Sequence, residues 1–113
     1  MVQSAAADEV FHALSNPTRR KVVERLSAGP ATVSELAAPF DMQLPSFVQH
    51  LSILERSRLV RSTKRGRVRT YELAPQRFEV LEDWLAARRR LWEARLDRFD
   101  GYVRQLKERE PGS

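Results

Sequence analysis

The sequence predicts a mainly α-helical fold with one small β-hairpin. Three observations point to it. Apolar residues recur at helical spacing through most of the chain, with Pro and capping residues at the starts of the runs. One stretch, Leu59 to Leu73, alternates with period two around an Arg-Gly pair instead. Positive charge gathers on that stretch and on the helix before it. Between Met42 and Tyr71 lie seven cations (Arg56, Arg58, Arg61, Lys64, Arg65, Arg67, Arg69) and one acid, Glu55. The segment carries +6 and the whole chain +5, so everything outside it sums to −1. The charge marks one polyanion-binding face rather than a generally basic protein.

Residues 1–5 and the tail 110–113 are expected to be disordered. Ala6 to Leu14 reads as a short helix with Val10, Phe11 and Leu14 on one face. Asn16-Pro17 is a start signal, with Asn as N-cap and Pro at the first helical position. The helix it opens runs to about Ala28. Val22, Val23 and Leu26 form its buried stripe, with Arg19, Arg20, Lys21 and Arg25 largely off it, and Gly29-Pro30 stops it. Thr32-Val-Ser-Glu35 is a capping-box pattern. It opens a third helix that turns Val33, Leu36 and Ala37 inward and ends at Pro39. After a turn at 40–43, Leu44-Pro45 opens a fourth helix ending near Ser57. Strands over Leu59–Lys64 and Arg67–Leu73 follow, joined by Arg65-Gly66. Ala74-Pro75 begins a helical region reaching about Arg109, with a break allowed near 86–90 or at Gly101. The order helix, helix, helix–turn–helix, hairpin, long helix describes a winged helix-turn-helix with a helix added on each side.

At 113 residues the chain is expected to be one domain. Residues 6–73 form the winged core with its N-terminal helix, and 75–109 a helical dimerisation region. The chain has no cysteine, which excludes disulfides, thiol redox switches and thiolate metal sites. The first residues lack a basic stretch followed by an apolar one, so they do not read as a secretory signal. No apolar run approaches the roughly 20 residues that span a bilayer, so no membrane partner is expected.

In the fourth helix, Phe47, Leu51 and Leu54 fall within about 60° of one another at about 100° per residue, whereas Gln49, Ser52 and Pro45 point the other way. The N-terminal half of such a helix enters the major groove. Gln49 is then the best base reader, since its amide can pair bidentately with adenine. Ser46 and Ser52 suit phosphate or base edges, Val48 a thymine methyl, and Gln43 lies just before the helix. His50 sits at the edge of the core stripe, suited to packing or a phosphate contact rather than catalysis. Taken alone, these would be ordinary solvated positions; the turn before them and the basic hairpin after them favour DNA. On the hairpin, Lys64, Arg65, Arg67 and Arg69 are the candidate wing contacts to a minor groove or its phosphates. Strand alternation is expected to put Arg65, Arg67 and Arg69 on one face, with Val68 and Thr70 on the other. Charge that merely keeps an edge hairpin soluble would mix signs, and no acid occurs from Arg56 through Tyr71.

Phe78, Leu85, Trp92, Phe99 and Leu106 recur at an unbroken spacing of seven, widened by Leu81, Trp84, Leu91, Leu96, Tyr102 and Val103. One helix cannot bury so much apolar surface on a small domain. Phe78, Leu81 and Leu85 are expected to pack on the chain's own core. Trp92, Leu96, Phe99, Val103 and Leu106 are expected to meet a second copy about a two-fold axis.

The segments FHALSNPTRRKVVERL, TVSELAAPFDMQLPSFVQHLSILERSRLV and KRGRVRTYEL together resemble the ArsR (arsenic-repressor) family of bacterial winged-helix regulators, over about Val10 to Leu73. The resemblance implies a cytoplasmic homodimeric repressor. It would bind a palindromic operator in double-stranded DNA, often its own promoter, and dimerise through its first and last helices, which would add Val10, Phe11 and Leu14 to the dimer contact. Where the family's metal sensors carry a Cys-x-Cys type motif, this chain has Glu35-Leu-Ala-Ala-Pro-Phe40. Its last helix lacks the histidines of the family's second metal site, the only two in the chain being His12 and His50. Neither metal site can form, and no metal or cofactor is expected. Val48 stands where many members have serine, so operator contacts do not carry over. The LPSFVQHL version with a Trp-containing tail is similar to a cysteine-free branch often encoded beside START-like ligand-binding proteins.

The alternatives are a non-specific architectural DNA binder and a winged helix serving RNA or protein. An apolar or acidic recognition face would mark a protein partner, and here that face is polar and flanked by cations. An enzyme would need a nucleophile–base pair, a metal cluster or a glycine-rich phosphate loop, none of which the sequence offers. An effector, small molecule or protein, stays open.

Overall fold

Capping accounts for where the first helices begin. In the computed structural model, which describes residues 5–109, α1 spans Ala5–Leu14 and α2 spans Pro17–Leu26. Asn16 Oδ1 accepts from the amides of Thr18 (2.9 Å) and Arg19 (3.2 Å), with Pro17 in the first turn. α3 (Val33–Ala37) opens on the expected capping box: Thr32 Oγ1 accepts from the Glu35 amide and Glu35 Oε1 from the Thr32 amide. Of the stretches expected to be disordered, 1–4 and 110–113 lie outside the described residues, whereas Ala5 already belongs to α1.

α4 (Leu44–Arg56) follows, with Phe47, Leu51 and Leu54 wholly buried as their spacing requires. Its C-terminal end is closed by bonds from the Arg58 amide to Glu55 O and from the Leu59 amide to Leu54 O. That pattern normally places glycine in the left-handed position. Here Arg58 occupies it at φ 64°.

The sheet holds one strand more than the expected hairpin. β1 (Ala31–Thr32) pairs antiparallel with β3 (Val68–Leu73), which pairs with β2 (Val60–Arg65), giving the order β1-β3-β2. Two residues just before a helix are too few to show an alternation, which is why the pattern hid β1. The turn is Gly66-Arg67 rather than Arg65-Gly66, because Arg65 pairs with Val68. Gly66 takes φ 62° at the first turn position, where a two-residue hairpin favours glycine.

The chain forms two compact units, Met1–Leu81 and Glu82–Ser113. The core of the first joins Val10, Ala13, Val22, Leu26, Leu36, Phe47, Leu51, Leu54, Leu59, Val60 and Tyr71, with Phe78 and Leu81 packed against it. The last helix, α5, runs unbroken from Pro75 to Arg109, through 86–90 and Gly101 where a break was allowed. Two sequence expectations change. Val10 is fully buried within its own core and has no surface left for a second subunit. Leu85 is 47 % exposed rather than packed inward.

Candidate nucleic-acid interface

The side of α4 opposite its buried stripe is open. Gln43, Ser46, Val48, Gln49 and Ser52 are all exposed. Gln43 stands at the N-cap with no side-chain cap bond, unlike Asn16 and Thr32. The first turn of α4 therefore keeps backbone amides without a side-chain acceptor at the positive end of the helix dipole, which is favourable ground for an anion. Met42 and Leu44 are exposed beside them. Polar spacing along α4 does not single out these two, because both are apolar.

Each flank of α4 is tied down by one polar link. On the wing side, Ser62 Oγ donates to Glu55 Oε2 at 2.9 Å, and Arg69 Nη1 donates to Ser62 Oγ at 2.7 Å. The one acid of the basic segment is thus satisfied by the wing. Tyr71, buried beside it, has its hydroxyl pKa raised by burial first and by the Glu55 charge second. On the other flank, His50 meets Arg19 of α2, Nδ1 to Nη1, at 3.0 Å.

Arg19 is not on the solvated side of α2 as its position suggests. It is 7 % exposed, its Nε donating to Ala13 O at 2.7 Å and its Nη2 to His12 O at 3.2 Å. Arg20 Nη1 donates to Leu14 O at 2.8 Å. Two arginines of α2 therefore cap the free carbonyls at the end of α1, while Asn16 caps the start of α2. Periodicity cannot reveal this, because a guanidinium is buried by finding carbonyl acceptors, not by apolar spacing. The ALSNPTRR segment held the signal, as a helix end, an N-cap and two arginines within one turn. His50, expected at the edge of the core stripe, is half-buried against Arg19.

The wing presents Lys64, Arg65, Arg67 and Arg69, all exposed. They do not share one face. Residues directly paired across a hairpin lie on the same side of it. Lys64 pairs with Arg69, on the side of Ser62 and Tyr71, whereas Arg65 pairs with Val68, on the side of Thr63 and Thr70. Arg67 sits in the turn between them. The error came from carrying one strand's alternation through a two-residue turn. Arg61 is held by Glu72 (Nε to Oε1, 2.8 Å), which lowers the free charge of the hairpin's base. Among the described residues no group of three or more His, Asp or Glu is placed to hold a metal ion.

In the second unit, α5 leaves Leu91 (64 %), Trp92 (59 %) and Phe99 (62 %) largely exposed, with Leu96, Tyr102 and Leu106 beside them. Arg88 lies over the Trp84 ring at 4.7 Å.

Comparison with known proteins agrees with this architecture. Residues 14–63 match the family model described as a helix-turn-helix domain. The chain is 43 % identical over 74 residues to the HTH-type transcriptional regulator Rv2034 of Mycobacterium tuberculosis, covering 66 % of this chain and 69 % of that protein. It is 31 % identical over 78 residues to the transcriptional repressor SdpR of Bacillus subtilis, covering 69 % and 87 %. The crystal structure of the ArsR family transcriptional regulator RHA00566 superposes with a TM-score of 0.76 at 53 % identity, covering 78 % of this chain and 97 % of that one. A homodimeric winged helix-turn-helix DNA-binding domain from Mycobacterium bovis does so with a TM-score of 0.60 at 25 % identity, covering 73 % and 79 %. With the fold, the capped helix ends and these relatives together, the chain belongs to the ArsR family of winged helix-turn-helix transcriptional regulators.

Proposed function

We propose that the chain is a homodimeric, sequence-specific repressor that binds a palindromic operator, its own promoter included. The observation that carries this is the open face of α4. Its opposite stripe is wholly buried, so Ser46, Val48, Gln49 and Ser52 are presented on a helix fixed in orientation. Gln49 pairs with adenine, Val48 meets a thymine methyl, and the serines take phosphate or base edges. Lys64, Arg65, Arg67 and Arg69 hold the flanking backbone, Arg69 from the α4 side of the wing. The exposed stripe of α5, with Phe11 and Leu14 of α1, meets its copy across a two-fold axis. The homodimeric relative from Mycobacterium bovis supports a homodimer. Its two recognition helices then enter major grooves about 34 Å apart. Release by a small-molecule or protein effector is compatible with this scheme.

Hydroxyl-radical footprinting on the chain's upstream region tests it. Two protected half-sites one helical turn apart are expected. Uniform protection of any duplex would support the architectural alternative instead.

A further inference from the structure

His50 lies in the middle of α4, and the only hydrogen-bond partner of its imidazole among the described residues is Arg19, Nη1 to Nδ1 at 3.0 Å. A guanidinium only donates and keeps its protons at any ordinary pH. Nδ1 must therefore be the acceptor, so the imidazole is neutral and carries its proton on Nε2. Nε2–H is left without a protein partner among the described residues, on a half-buried side chain at the flank of the recognition helix. Arg19 is itself held by the carbonyls of His12 and Ala13, so it cannot swing away.

We propose that Arg19 is a positioning residue for DNA binding, fixing His50 as a neutral imidazole whose Nε2–H donates to a phosphate oxygen of the DNA backbone. This rests on the DNA-binding scheme above and adds a contact with an unusual sign. A histidine beside a polyanion ordinarily binds better once protonated. Protonating His50 would destroy the acceptor and set an imidazolium against a guanidinium 3.0 Å away, so acidification weakens binding. The local charges agree. Arg19 of α2 is the charged group bearing on His50, and it lowers the imidazole pKa from the usual 6.5, second to burial. α1 offers the same site only backbone carbonyls. Among the other titratable groups of these elements, Glu9 and His12 of α1 and Arg56 of α4 line a depression with Ile53 and Ser57, Arg20 of α2 is bonded to the Leu14 carbonyl, and Glu55 of α4 accepts from Ser62 of the wing.

The test is an anisotropy titration of the full chain against a duplex of its upstream region and a scrambled duplex. It is run from pH 7.5 to 5.5 at constant ionic strength, with helicity checked at each pH. Affinity of the unmodified chain is expected to fall on acidification, by up to about tenfold per pH unit for each His50 once protonation and binding exclude each other. His50→Gln, which cannot take up a proton in this range, is expected to lose the pH dependence, read as the ratio of its own affinities at pH 7.5 and 5.5. His12→Gln, at the chain's other histidine, is expected to keep it. Tighter binding at low pH, or a His50→Gln profile as steep as the unmodified one, would overturn the proposal. Imidazole 15N spectra of the free protein separate this from the DNA-binding scheme. A protonated Nδ1 overturns the Arg19–His50 arrangement whatever the DNA result, and failure to prefer the upstream duplex at pH 7.5 overturns the operator scheme.

Discussion

Gln49 and Arg67 are both exposed polar residues of the proposed interface, yet their replacement should act differently. Gln49→Ala is expected to remove about 1–3 kcal/mol of discrimination at one base pair while leaving binding to unrelated duplexes unchanged. Arg67→Ala is expected to weaken binding to every duplex and to flatten the salt dependence by about one counterion per protomer. Binding isotherms on matched and mismatched duplexes separate the two; equal loss on both duplexes for Gln49→Ala would remove it as a base reader. Arg58 bears on stability through its backbone. It holds a left-handed φ of 64° where the helix-closing bonds suit glycine. Arg58→Gly is expected to stabilise the fold by about 1 kcal/mol, read as a higher urea midpoint at unchanged slope. At this scale the sequence was legible where side chains obey spacing, as Phe47, Leu51 and Leu54 do. It was opaque at Arg19, whose burial depends on carbonyls of another helix.

Elements whose ends are marked by local chemistry were readable in advance. Asn16-Pro17 and the Thr32/Glu35 box start α2 and α3 where expected. Leu44-Pro45 starts α4 without a side-chain cap, and Pro alone sufficed to mark it. β1 was not readable, because its two residues become a strand only by pairing with β3. The continuity of α5 was also undecided in sequence. Gly101 lowers helix propensity by only about 1 kcal/mol against Ala, which the 35-residue helix tolerates. The exposed stripe of that helix gives a prediction. Phe99→Glu places a charge in the middle of the proposed subunit contact and outside the buried core. Sedimentation is expected to show a dissociated chain with far-UV signal of the winged core retained; an unchanged assembly state would place the dimer contact elsewhere.

For the whole molecule, the proposed function needs both the charged, polar face of the first unit and the apolar stripe of the second. Neither suffices alone. A single recognition helix covers too few base pairs for high selectivity, and in the proposed dimer two-fold repetition of the chain would supply the second half-site. Membership of the ArsR family makes DNA the expected partner. The most direct measurement is an anisotropy titration against the chain's own upstream region and a scrambled duplex at two salt concentrations. The account predicts tight, selective binding with two protomers per site and a steep loss of affinity as salt rises. Equal affinity for both duplexes, or affinity indifferent to salt, would contradict it.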